Sequence, residues 1–201
     1  MLTRKFIFLV LAGLFWAVSN ASAQEQPEGE LEEVIVTAAY RPVSVQELPI
    51  SVTVFSQETI ERRGAEHLEQ LLNLAPNVNF SSGASRGRFV LIRGIGERSQ
   101  FVEPINPSVG LIIDGMDFTG IGGAASTLDI RQVEILRGPQ GTLFGANALA
   151  GLVNMVSNDP GDEANGYAGL RVGNYGRLVA TAAWGGPLSD NVGGRLAVQS
   201  N

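Results

Sequence analysis

Val133-Glu134-Ile135-Leu136-Arg137-Gly138-Pro139-Gln140-Gly141-Thr142-Leu143-Phe144-Gly145 is a short apolar strand that runs into a glycine-rich turn. Val133 to Leu136 favours extended backbone, and Gly138-Pro139 interrupts it. A glycine-rich turn behind a strand raises the question of a phosphate cradle. This one lacks the Gly-Lys-Ser/Thr that would reach phosphate and magnesium, and it lacks the spacing of a dinucleotide turn. Arg93-Gly94-Ile95-Gly96-Glu97-Arg98 fails the same test. Both turns therefore read as architecture.

The surroundings repeat the theme. Phe89 to Ile92, Val109 to Ile113 and Leu152 to Val156 are further short apolar strands, and Asp114-Gly115 is a strong turn signal after the second. The connections near 95–108 and 116–129 are long, and long loops in a compact domain are commonly functional. Upstream, Ser51 to Phe55 is β-branched and aromatic, and Ser56 fits a helix N-cap with Glu58 and Glu61 behind it. Gly64 interrupts that helix. Leu68, Leu71, Leu72 and Ala75 then share one helical face, which Pro76 ends. The sum is an α+β domain with a mixed sheet and short helices.

Residues 166–200 change character. Apolar and polar or small residues alternate over 166–175, 177–184 and 192–200, with a turn at 186–191. Strands of about ten residues with this dyad repeat fit transmembrane β-strands. A soluble meander shares the pattern. In a membrane, the third strand needs a further partner, because unpaired backbone is too costly in lipid. The chain is therefore expected to be a fragment.

The N-terminus reads as an export signal. Arg4 and Lys5 precede an apolar run over 6–18, and Ala21-Ser22-Ala23 is a small-x-small cleavage site. At 1.5 Å per residue the run reaches about 20 Å, short of a hydrocarbon core. Residues 24–33 are polar and acidic and read as flexible. Val34 to Ala38 is then a lone β-favouring run. It reads either as an edge strand or as a strand offered to another protein.

The 201 residues have net charge −6, no cysteine and one histidine, His67. That balance leaves a nucleic-acid partner without a basic footprint and excludes disulfides and thiol chemistry. Asp114 is a turn residue, and Glu97 and Glu103 lack a His or Lys partner for acid–base work. No nucleophile–base pair is recognisable, so no catalytic residue and no metal ligand is assigned. An enzyme is not expected.

Taken together, these residues resemble the N-terminal part of TonB-dependent outer-membrane receptors. Glu33, Val34, Ile35, Val36, Thr37 and Ala38 are similar to the family's TonB box, here just after a signal peptide. The stretch 133–145 resembles its most recognisable plug motif, and 148–156 continues it, with Ala150 where glycine is frequent. Leu91-Ile92-Arg93-Gly94 and Asp114-Gly115 match two more plug elements. Residues 185–196 are similar to the first periplasmic turn and its flanking barrel strands.

The resemblance implies a division into a signal peptide (1–23), a flexible segment with the box (24–40), a plug (41–160) and the first strands of a 22-stranded transmembrane β-barrel (161–201). It implies active import across the outer membrane, with an iron–siderophore complex as the commonest substrate. Cobalamin, a saccharide or another metal chelate is the same-class alternative. A free-standing plug-like interaction module is the alternative from another class. A surface-signalling transducer would need an extra folded domain before the box. The implied partners are TonB, a small-molecule substrate and outer-membrane lipid. No cofactor is implied, and iron enters only inside a bound chelate. Arg93 and Arg137 match plug arginines that lock onto barrel-wall glutamates. Ser99, Gln100 and Phe118 fall near the family's apical substrate contacts.

Overall fold

The computed structural model describes residues 34–37, 43–81, 89–97, 106–120, 125–189 and 191–200. The export signal, Glu33, Ala38, Ser99 and Gln100 lie outside the described residues.

The centre of the fold is a mixed five-stranded sheet. Its strands are β3 (Ser51–Ser56), β6 (Val109–Ile113), β7 (Met116–Asp117), β8 (Ile130–Arg137) and β9 (Gly151–Ser157). Their order is β3-β8-β9-β6-β7. Only β6 and β9 run parallel. The quoted motif thus supplies β8, between β3 and β9. Gly151 faces Arg137 across the β8–β9 ladder, and a Cβ on Gly151 would stand 2.4 Å from the Leu136 carbonyl oxygen.

Period-two alternation divides the sheet's side chains between two cores. Phe55, Leu111, Val133, Ile135, Val153 and Met155 point to one face. There they meet α1 (Gln57–Arg63) and α2 (Glu69–Leu72), through Ile60, Leu68, Leu71, Leu72 and Ala75. Val52, Val54, Ile112, Leu136 and Leu152 belong to the other core, with Val36, Ala148, Leu48 and Ile50.

Local chemistry sets the ends of these elements. The Ser56 hydroxyl accepts the Thr59 N–H, and Gly64 ends α1 in the left-handed region. The apolar spacing of 68–75 suggests a longer helix than the four residues that form. Those apolar side chains are all buried, so packing rather than helix length satisfies them. Asp114 and Gly115 both have positive φ, the backbone of a tight hairpin turn. The Asp114 carboxylate also holds the far strand: Ser157 donates its N–H at 2.8 Å and its hydroxyl at 2.7 Å. β4 (Val78–Ser81) and β5 (Phe89–Ile92) form a separate antiparallel pair.

A three-stranded antiparallel meander follows: β10 (Asn165–Val172), β11 (Leu178–Ser189) and β12 (Val192–Ser200). β11 continues into the expected turn at 186–191, as far as Ser189. Pro187 is accommodated because β10 ends opposite Gly185, and the register slips between Pro187 and Ser189. Proline is tolerated at such a bulge. Leu170, Val172, Leu178, Trp184, Leu196 and Val198 are exposed in a row, whereas Val179 and Ala183 are buried. One face of the meander is an apolar belt, and the other faces the mixed sheet and its helices.

Candidate functional site

β8 carries one charged side chain inside its apolar run. Glu134 points into the second core and is fully buried. Such a carboxylate must be hydrogen-bonded to persist there. Its Oε1 accepts the Thr37 N–H at 2.7 Å, the Thr37 hydroxyl at 2.9 Å and Gln132 Nε2. Its Oε2 accepts Asn154 Nδ2 at 3.0 Å. Gln132 Nε2 also donates to the Ile35 carbonyl at 3.0 Å.

These bonds seize the backbone of the box-like segment. Its strand, β1 (Ile35–Val36), pairs antiparallel with β2 (Val43–Ser44), and Val45 donates to the Val34 carbonyl at 3.0 Å. Val36 is fully buried in the cluster with Ile112, Leu136, Ala148 and Leu152, while Val34 and Ile35 stay half exposed. The lone β-favouring run is therefore half of a two-stranded sheet of its own, apart from the five-stranded sheet. It is docked beneath the sheet by one apolar anchor and one carboxylate latch. The sequence contained a signal for the latch, a carboxylate amid Val133, Ile135 and Leu136, but nothing local says that its partner lies 97 residues away.

Arg93 follows β5 with positive φ, Arg137 ends β8, and the two are close enough to influence each other. Burial first, and the Arg93 charge second, lower the Arg137 pKa. Arg137 donates to Ser51 Oγ at 2.8 and 3.0 Å, Thr53 Oγ1 at 2.8 Å, the Pro76 carbonyl at 3.1 Å and the Val52 carbonyl at 3.3 Å. Every one of these acceptors is uncharged. Phe118 packs against the first core, with its N–H on the Leu111 carbonyl. At the end of β7 beside it, burial raises the Asp117 pKa, but hydrogen bonds from Thr119 and Asn147 outweigh that and leave it lowered. Among the described residues, no group of three or more His, Asp or Glu side chains is placed to hold a metal ion.

The family model of the TonB-dependent Receptor Plug Domain matches residues 44–152. The chain is 30% identical over 186 residues to the pesticin receptor of Yersinia enterocolitica, covering 92% of this chain and 27% of that protein. It is 26% identical over 202 residues to the ferrioxamine B receptor of Salmonella typhimurium, covering 94% and 27%. The crystal structure of the ferric yersiniabactin uptake receptor FyuA from Yersinia pestis superposes with a TM-score of 0.65 at 27% identity, covering 75% of this chain and 24% of that one. The chain spans about a quarter of the length of the curated relatives it matches. With the family model matched over more than half its length, this chain belongs to the TonB-dependent receptors of the outer membrane, and residues 44–152 are their plug domain.

Proposed function

We propose that the receptor carrying this chain imports a scarce nutrient across the bacterial outer membrane, an iron–siderophore complex above all, and draws its energy from TonB. The observation that carries this reading is the docked box strand. A partner that pairs with it as a strand needs its backbone edge. Here the Thr37 N–H and the carbonyls of Val34 and Ile35 are already engaged. Residues 33–38 thus act as a coupling segment that must leave its socket before TonB can grip it. The relatives named for ferrioxamine B and ferric yersiniabactin support a ferric siderophore as cargo.

In this reading the plug, residues 41–160, fills the lumen of a barrel whose first strands lie in 161–201. The apolar belt of β10–β12 faces lipid. Arg93 and Arg137 lock the plug onto carboxylates of the barrel wall. The described acceptors of Arg137 are all neutral, which leaves its charge to be met by a carboxylate in a bidentate contact. Ser99, Gln100 and Phe118 belong to the apical surface that meets substrate.

The test is Ile35→Pro in the receptor that carries this chain. Proline removes a backbone donor and fixes φ. Uptake of radio-iron-loaded siderophore into intact cells is lost, while binding of the same complex to isolated outer membranes is retained. Unimpaired uptake would remove the coupling role from the box.

A further inference from the structure

The plug touches the meander through ion pairs whose polarity is opposite to that of the Arg93–Arg137 lock. Asp129 sits in the turn before β8 with φ 57°. Asn158 fixes that turn: its N–H reaches the Asp129 carbonyl at 3.0 Å, and its Nδ2 reaches Asp129 Oδ1 at 3.0 Å. The start of β8 is thereby tied to the end of β9. Arg195 crosses from the inner face of β12 and forks onto the carboxylate, Nε to Oδ2 at 2.6 Å and Nη2 to Oδ1 at 2.7 Å. Its third nitrogen, Nη1, donates to Asn165 Oδ1 on β10 at 2.8 Å.

Both side chains are about nine-tenths buried, at 11% and 10% exposure. The path for the arginine is cleared by Gly185, its cross-strand neighbour on β11. A Cβ there would stand 3.0 Å from Arg195 Cγ. Burial pushes the Asp129 carboxyl up, but bonds from Arg195 and Asn158, the Arg195 charge and the Tyr167 hydroxyl outweigh it and hold it low.

A second contact repeats the polarity. Glu66, on the plug between α1 and α2, accepts from Arg177 and lies 3.8 Å from Arg171. Between the two contacts is a cavity of about 420 Å³ bordered by Gln57, Glu61, Thr127, Tyr167, Thr181 and Gln199. Apolar side chains, Ile60, Ile130 and Val179 among them, line the same cavity, so over that span plug and strands face each other across open space rather than through continuous packing. Ion pairs stand at both of its borders.

We propose that Asp129–Arg195, backed by Glu66 with Arg171 and Arg177, is a plug-retaining clamp of reversed polarity. The plug brings carboxylates and the first wall strands bring arginines. The clamp fastens the plug to the strands that follow it in sequence, independently of Arg93 and Arg137. It rests on the reading of β10–β12 as the wall of a barrel that houses the plug.

The experiment uses cells making the receptor that carries this chain, with vancomycin as the probe of an open lumen. Permeability is normalised to folded receptor in the outer membrane, measured by heat-modifiable migration on gels. Asp129→Asn and Arg195→Gln each raise vancomycin sensitivity at least fourfold. Asparagine tolerates the positive φ at 129, so the first change removes charge without backbone strain. The double substitution leaks no more than the worse single one, because the pair acts as one unit. Arg195→Lys keeps the charge but loses the fork, and falls between parent and Arg195→Gln. Unchanged sensitivity in both single variants overturns the clamp, as do independent effects that multiply in the double variant. A receptor lacking residues 44–157 serves as the reference. If even that deletion leaves sensitivity unchanged, the barrel reading itself fails.

Discussion

Glu134→Gln is the sharpest probe of the docked box. The substitution keeps the side chain's shape and one acceptor oxygen, and it removes the charge. That oxygen can still receive Thr37, and Asn154 can turn its amide to meet the new NH2 group. What is lost is charge assistance. A hydrogen bond to a charged group contributes about 1.5–3 kcal/mol net, and a neutral one about 0.5–1.5 kcal/mol. Two bonds come from Thr37, at 2.7 and 2.9 Å, so docking weakens by about 2 kcal/mol, or roughly 30-fold in its equilibrium. Docking also strips water from the carboxylate, a cost that glutamine reduces. The four donors gathered around Glu134 outweigh it. The chain has no cysteine, so a single introduced thiol reports cleanly. Val36→Cys places it at the buried anchor, and Val153→Cys places one on the opposite face of the sheet, also fully buried. In detergent, Glu134→Gln speeds maleimide labelling of position 36 about 30-fold and leaves position 153 unchanged. Unchanged or slower labelling at 36 would refute the latch. Equal acceleration at both sites would show that Glu134 supports the whole sheet instead.

Arg137→Ala strips five hydrogen bonds from β3 and Pro76, so urea denaturation of the plug shows a loss of about 1–3 kcal/mol; an unchanged midpoint would confine this arginine to a role outside the plug. Gly151→Ala forces a Cβ to 2.4 Å from the Leu136 carbonyl and 2.6 Å from Ile92 Cδ1. It destabilises by about 1–3 kcal/mol or more, visible as faster hydrogen exchange in β8 and β9. The lowered Asp129 pKa fixes the sign of an acid effect. Its stabilisation is complete above the unfolded value of 3.8 and is lost as pH falls through the lower folded value. Exchange protection around 129–132 and 195 therefore holds at pH 5 and falls below about pH 4.

What was legible in the sequence was local. The apolar runs 133–136 and 152–156 marked buried strands, Ser56 marked a cap, Asp114-Gly115 a hairpin turn, and the dyad repeat of 166–200 the meander. The sheet order was not legible, because the β6–β9 pairing joins segments about 40 residues apart through a parallel crossover that no local pattern encodes. The extent of β11 was misjudged, since Pro187 reads as a turn until its partner strand is known to end before it. Arg137 was legible as a charge that needs partners, but not as one bonded to Ser51 and Thr53, which precede it by more than 80 residues. Asp129 and Arg195 were invisible as a pair for the same reason. Each is an ordinary polar residue in its own segment, and only the docking of two segments makes them a buried contact.

The placement of the charged groups along β8 links the latch to the clamp. Asp129 immediately precedes the strand, Glu134 lies within it and Arg137 ends it. At about 3.3 Å per residue the three span roughly 26 Å of one extended segment. That segment is hydrogen-bonded on both sides, to β3 and β9. Tension applied through Thr37 therefore reaches a strand that is held along both edges and clamped at its start. Such a strand resists a pull better than an edge strand, since many ladder bonds must open together. The two bonds between Thr37 and Glu134 are the weaker element in series. The expected order of events under load is undocking of the box first, with the clamp at Asp129 still closed. The order is measurable with two reporters in one chain, a thiol at position 36 and exchange protection at 130–132. If rising urea opened 130–132 before position 36, the box would be held more tightly than the sheet that carries it, and β8 could not serve as its fixed support.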